Sequence, residues 1–213
     1  MKKLFTIVVF LIGLGSVGNS QEVIIGNQVW SKKNLNVSTF RNGDPIPEAK
    51  TNEEWEKAIE NKQAAWCYYD NKKKNGRKYG KLYNWYAVND PRGLAPAGWH
   101  IPNDAEWNEL FDFLGGDLAG SSMKSKNRWD KDDDGSSCNG TNSSGFSGLP
   151  SGSRVSFDDE GIVYDGIGYL GEWWGSAEED SDYAPGLGLS CFGGAFRNYG
   201  TIIEGLSVRC IKD

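Results

Sequence analysis

The apolar positions of this chain change rhythm near residue 120. Before it, two stretches carry helical spacing. In the first, Trp55, Ala58 and Ile59 fall on one face, and Thr51 stands three residues ahead of Glu54, the spacing of a capping box. In the second, Pro102 ends an extended segment, Asn103 can cap, and Asp104 and Glu106 suit the positive end of a helix. Trp107, Leu110, Phe111 and Leu114 then recur at i, i+3, i+4 and i+7, so one face is predicted to be buried, and Gly115-Gly116 stops the helix.

Ahead of these helices the residues are β-branched or aromatic. Val23 to Trp30 reads as a hairpin bent at Gly26-Asn27, and Val37 to Phe40 as a further short strand before the turn chemistry of Arg41 to Pro45. Beyond residue 120 glycine, serine and asparagine dominate. Short apolar runs remain at 154–157, 162–164, 187–192 and 201–203. Leu206, Val208 and Cys210 alternate with Ser207 and Arg209, as in a half-buried strand. Gly193-Gly194 and Asn198-Tyr199-Gly200 read as turns. There is no strict repeat, no heptad pattern and no second domain boundary. The predicted class is α+β: two helices beside a small, twisted, mostly antiparallel sheet with long loops between its later strands.

Residues 1–20 stand apart. Lys2 and Lys3 precede an apolar run from Leu4 to Leu14, followed by small residues at Gly15, Ser16, Gly18 and Ser20. This is the pattern of a secretory signal, too short to span a bilayer as a stable helix. No cysteine precedes Cys67, so no thiol is placed for lipid attachment. The expectation is an exported protein, periplasmic or extracellular and not a lipoprotein, whose one domain runs over 21–213. Removing Lys2 and Lys3 leaves 21 cations against 29 anions, or −8, compared with −6 for the whole chain. An acidic protein with no basic block is a poor nucleic-acid binder and has no polybasic attraction to anionic lipid.

Four cysteines, Cys67, Cys138, Cys191 and Cys210, permit two disulfides in an exported chain. Three pairings are possible. Cys67 with Cys210 is favoured, leaving Cys138 and Cys191 to pair or stay free. No C-x-x-C occurs, so a zinc knuckle or a thioredoxin-type motif is unsupported.

Eight motifs run in order through the chain: GNQVW (26–30), NLNV (34–37), WCYYDN (66–71), YGKLYNWYAV (79–88), GWHIPNDAEW (98–107), GFSGLP (145–150), GEWWGS (171–176) and GLSVRC (205–210). Together they resemble the Fibrobacter succinogenes major paralogous domain family over nearly the whole of 21–213. The resemblance implies export and a fold of the C-type-lectin-like and formylglycine-generating-enzyme group, with GWHIPNDAEW opening a helix and GLSVRC as the terminal strand. It implies no particular activity. Two departures stand out. Ala95 occupies a position before the Pro-x-Gly-Trp segment where relatives often carry cysteine, and the segment 127–140 is expanded.

Catalytic signatures are sparse. The one histidine, His100, lies in a recurrent structural segment and reads as a packed or surface imidazole rather than a base. Ser121-Ser122-Met123-Lys124 fits S-x-x-K but lacks its companion elements. The formylglycine-generating likeness would imply copper held by a closely spaced cysteine pair, and the nearest pair here, Cys191 and Cys210, is far apart in sequence.

Binding candidates are stronger. Asp130, Asp132 and Asp134, followed by Gly135, match the D-x-D-x-D-G opening of a calcium loop, although position twelve is Thr141 rather than an acid. Calcium is thus the one cofactor the sequence suggests. Nine tryptophans and nine tyrosines are many for this length. Those inside the motifs are expected in the core. Tyr183, Phe196, Asn198 and Tyr199 lie outside the motifs and are the expected ligand-facing residues, with a glycan or a surface protein as partner. The leading expectation is a non-catalytic recognition or surface-associated module displaying loops on a Trp-rich scaffold. An enzyme of the formylglycine-generating type or an unrecognised hydrolase is the rival, and a structural subunit of a surface assembly is a third reading.

Overall fold

The computed structural model describes residues 21–157, 161–176 and 183–213. The expected signal segment lies outside them, as do the carboxylates of Asp158, Asp159, Glu160, Glu178, Glu179, Asp180 and Asp182.

Strands β1 (Glu22–Ile25) and β2 (Gln28–Ser31) form the predicted hairpin, with Ile25 opposite Gln28 across Gly26-Asn27. The chain end returns to it. In the order β1-β2-β12-β5, strand β12 (Ile211–Lys212) pairs Ile211 with both Trp30 and His100 of β5 (Trp99–His100). A second sheet has the order β3 (Trp66–Cys67), β4 (Leu82–Asn84), β11 (Gly205–Leu206), β6 (Ser151–Phe157), β7 (Gly161–Ile167). A third has β8 (Leu170–Trp174) and β10 (Ala195–Thr201) on either side of β9 (Tyr183–Ser190). Strand pairing is antiparallel in all three sheets.

Both predicted helices form. In α1 (Asn52–Glu60), the Thr51 side chain accepts from the Glu54 N–H, and the Glu54 carboxylate accepts from the Thr51 N–H. Short helices α2 (Lys73–Tyr79) and α3 (Trp85–Val88) follow. In α4 (Asp104–Phe113), Asn103 and Glu106 exchange the same two bonds at 2.9 Å. Each such box satisfies two otherwise orphaned amides. Trp107 and Leu110 of α4 are buried, while Phe111 and Leu114 pack partly against the same cluster. A short α5 (Gly120–Met123) ends the helical half.

The expected α+β class, with two helices beside one small sheet in a lectin-like fold, is corrected. The chain is mostly β: twelve strands in three antiparallel sheets among the described residues. The reason lies in strands built of small residues. Strand β9 reads YAPGLGLS, which has no clean apolar alternation. Its glycines are filled from neighbouring strands: the Phe196 ring covers Gly188, where a Cβ would meet it at 2.1 Å. Asn198 to Gly200, expected as a turn, lies inside β10, and Val37 to Phe40 forms only an isolated bridge, Thr39 with Pro45.

Eight of the nine tryptophans are buried, and Trp99 is partly so. Strand alternation explains the GEWWGS motif. Neighbouring side chains on β8 point to opposite faces. Trp173 joins Trp30, Trp107 and Phe146 in one cluster, and Trp174 joins Trp85, Tyr83 and Val208 in another. Their indole N–H groups are both satisfied, Trp173 by Asn34 Oδ1 at 2.8 Å and Trp174 by the Tyr83 carbonyl at 2.7 Å. Gly175 follows because a side chain there would strike the Pro185 carbonyl at 2.7 Å and Trp107 at 2.9 Å. Each buried indole removes about 150–250 Å² from water, about 4–6 kcal/mol gross.

The terminal segment is not half-buried. Ser207 and Arg209 are as enclosed as Val208 and Cys210. The Arg209 guanidinium reaches the Ser31 carbonyl at 3.0 Å, the Phe146 carbonyl and Asn34 Oδ1.

The favoured disulfide is also corrected. Cys67 and Cys210 are free, buried thiols, and the bridge joins Cys138 to Cys191 with Cα atoms 5.0 Å apart. Cys67 lies on β3 of the five-stranded sheet, and Cys210 leads into β12 of the four-stranded one, so the topology separates them. Burial pushes both thiols up, Cys210 to about 12, which leaves them unreactive near neutrality.

Candidate functional site

A cleft of about 540 Å³ opens where β7 turns into β8 and where β9 turns into β10. Its walls come from Asp165 and Leu170 on the strands, Tyr169 and Phe192 on the two turns, Asp133 on a distant hairpin, and Tyr69. Tyr69 and Asn71 bound a short 3-10 turn (Tyr69–Asn71) behind β7.

Local geometry assembles this cleft. The β7–β8 turn closes with the Tyr169 N–H donating to the Gly166 carbonyl at 2.9 Å. Gly168 sits there at φ 89°, and a Cβ on it would lie 2.1 Å from Asp130 Oδ2. Only glycine meets both demands: the left-handed backbone and the close approach of the 130s segment. The Asp130 N–H then donates to the Gly168 carbonyl at 2.9 Å. The Cys191 N–H donates to the Tyr169 carbonyl at 2.8 Å, which sets the two turns side by side. The Tyr169 and Phe192 rings lie parallel, 5° between planes and 5.8 Å between centroids. Both are exposed, Phe192 at 63%. The Cys138–Cys191 bridge locks the Phe192 turn to the hairpin that carries Asp133.

The floor of the cleft is Tyr69, buried and with its phenol pushed up by burial, helped by the nearby carboxylates of Asp70 and Asp165. The rim is acidic and exposed, through Asp133 and Asp165. An aromatic platform flanked by carboxylates suits a ligand with apolar C–H faces and many hydroxyl donors.

The residues expected to face ligand are divided by the sheet. On β10, Tyr199 pairs with Pro185 and Thr201 with Tyr183, so the exposed Tyr183 and Tyr199 share a face. Phe196 and Asn198 point to the other, where Asn198 Nδ2 donates to Glu172 Oε1 at 2.8 Å. None of the four lines the cleft. Glu172 is buried and its pKa is pushed up to about 7 by burial, then by Glu204.

The acidic loop forms a small hairpin in which Lys131 bridges Ser137 and Asp132 Oδ1 accepts the Ser136 N–H at 2.7 Å. Asp130 faces Gly168, and Asp134 is exposed. Among the described residues, no three His, Cys, Asp or Glu side chains form a metal-holding group.

His100 is held at both nitrogens, Nδ1 by Asp213 at 2.7 Å and Nε2 by Glu106 at 2.8 Å. Burial opposes its charge, but these carboxylates outweigh it and the pKa rises. An imidazole donating twice has no lone pair with which to act as a base. Lys124 of the S-x-x-K run turns away to the Ser190 carbonyl at 3.0 Å.

The sequence reading missed Tyr169 and Phe192. The available signal was an aromatic next to a glycine turn, where no strand face exists to bury it. Among the described residues, no helix is long and apolar enough to cross a membrane. Compared with known families, residues 23–212 match the model described as the Fibrobacter succinogenes major domain. No curated protein and no solved structure matches the chain.

Proposed function

The chain belongs to the Fibrobacter succinogenes major domain family, and we propose that it is an exported recognition module that binds a glycan in the Tyr169–Phe192 cleft. The observation that carries this reading is the exposed parallel ring pair with Asp133 and Asp165 beside it. Sugar rings stack their C–H faces on aromatic faces, and carboxylates accept from the hydroxyls. The volume falls within the usual range of about 300–1,000 Å³ for small-ligand sites. A bridged disulfide supports an oxidising compartment and therefore export. The Asp130–Gly135 hairpin remains our proposed calcium loop, serving to stiffen the wall that holds Asp133.

The test is a glycan array probed with residues 21–213, followed by titration of the best oligosaccharide. Tyr169→Ala and Phe192→Ala are each expected to weaken binding about tenfold, or about 1.4 kcal/mol. A folded protein that binds no glycan, or variants that bind as well as the parent, would overturn it.

One observation favours a second reading. Two carboxylates border the same cleft, the minimum equipment of a glycoside hydrolase. Reducing-end release from the bound oligosaccharide, abolished by Asp133→Asn or Asp165→Asn, would establish hydrolysis in place of simple recognition.

A further inference from the structure

A second recess lies away from the aromatic cleft, between the segment after β2, helix α2 and the loop at residue 128. Its volume is about 520 Å³, and its walls carry Lys32, Lys33, Arg77, Lys78 and Arg128 with no acidic residue among them. Among the described residues, none of these five cations stands within ion-pair distance of a carboxylate; the ion pairs of the molecule lie elsewhere. Many other described lysines and arginines also lack a carboxylate partner, but these five converge on one hollow and leave it strongly positive.

The expectation of a chain with no basic block is corrected here, since the recess draws its cations from one basic run and from two separate places in the sequence. The run Lys72 to Lys78 carries five cations, of which Arg77 and Lys78 face the recess. Lys32 and Lys33 follow the first hairpin. Arg128 comes from the expanded 127–140 segment, and its backbone is held at φ 85°. A non-glycine residue costs about 1–3 kcal/mol in that region, and the fold retains it where it adds a charge to the recess.

We propose that this recess binds an acidic polysaccharide segment, one bearing carboxylate or sulfate groups, independently of the Tyr169–Phe192 cleft. Guanidinium forks match carboxylate and sulfate oxygens, and lysines add point charge. Exposed Asn36 on the wall donates its Nδ2 to the Gly76 carbonyl and leaves its Oδ1 to accept from hydroxyls. A nucleotide fits less well, because the one aromatic lining residue, Tyr79, is buried and offers no face for a base. A duplex needs a long basic stripe rather than a recess of this size, and the acidic remainder of the surface repels it.

The test uses residues 21–213 and isothermal titration with an oligogalacturonate and a sulfated dextran fragment. Neutral dextran, a short DNA duplex, anionic phospholipid vesicles and inorganic sulfate serve as comparators. Binding of an acidic oligosaccharide, weakening steeply with salt, is expected. Lys33→Glu with Arg77→Glu should weaken it at least tenfold. Arg128→Gly should weaken it about tenfold while leaving the fold intact, since glycine accepts the left-handed backbone. Tyr169→Ala should leave this binding unchanged, which separates the recess from the cleft. No acidic-glycan binding, equal or tighter binding of DNA, vesicles or free sulfate, or indifference to both charge variants would each overturn the proposal.

Discussion

Arg209 and Asn34 lie 175 positions apart in the chain and meet in the core, where Arg209 Nη2 donates to Asn34 Oδ1 at 2.9 Å. The same oxygen accepts from Trp173 Nε1 at 2.8 Å, and the Asn34 amide donates to the Tyr79 carbonyl at 2.8 Å and Ser207 Oγ at 3.2 Å. NLNV, GEWWGS and GLSVRC thus share one buried polar knot. Their common purpose is to hold a guanidinium in the interior with neutral acceptors.

Asn34→Ala should therefore be costly. It strips the acceptor from Trp173 and Arg209 together and leaves a buried charge short of partners, a loss of about 3–5 kcal/mol. Arg209→Met removes the charge itself and keeps the bulk against Phe146 and Trp173, so it should cost less. Urea unfolding of both variants checks the order; a larger loss for Arg209→Met would show that the guanidinium itself is the main stabiliser.

How much of this was legible depended on the periodicity. The capping boxes at Thr51 and Asn103, the Gly26 hairpin and the buried faces of Trp55 and Trp107 follow from local spacing alone, and all are present. The β half escaped notice because its strands alternate glycine with rings that arrive from other strands, as Phe196 over Gly188 does. Family resemblance marked Trp173 and Trp174 correctly as core. The cleft residues escaped because Tyr169 and Phe192 become neighbours only through the Cys191–Tyr169 backbone bond and the disulfide.

Stability should fall as pH rises from about 4.5 to about 7. Glu172 has its folded pKa raised to about 7, from a usual value of 4.5, first by burial and then by Glu204. A carboxylate so raised contributes stability below its unfolded value and loses it as pH climbs through the folded one, on the order of 3 kcal/mol here. Asn198 and Ser153 face it from β10 and β6, with Asp165 and Glu204 as the other acids. Glu172→Gln keeps the acceptor for Asn198 and should flatten the slope of Tm between pH 5 and 7. His100, also raised, should leave a smaller decline above pH 6.5. An unchanged slope in Glu172→Gln would remove Glu172 as its source.

Calcium provides a separate check on the acidic hairpin. Asp132 already stabilises the turn through the Ser136 N–H, so Asp132→Ala should cost about 1 kcal/mol without calcium. If the loop also holds the ion, millimolar calcium should raise the Tm of the parent and not that of Asp132→Ala. Equal melting of the parent in calcium and in chelator would leave Asp132 with the turn alone.

The disulfide ties stability to the cleft. Cys138 and Cys191 close a loop over a sequence separation of 53, which in the chain-entropy picture is about 4 kcal/mol. The bridge anchors the hairpin of Asp133 to the turn of Phe192, so its removal should act on binding as well as on folding. In Cys138→Ala with Cys191→Ala, unfolding in urea should show a loss of about 2–4 kcal/mol. A variant that still folds should bind glycan more weakly because the walls must be ordered at each encounter. Cys210→Ala changes a buried thiol in a core cluster that contains none of the cleft residues and should leave affinity unaltered. Full affinity in the double alanine variant would mean that the Cys191–Tyr169 backbone bond holds the two turns together without the bridge.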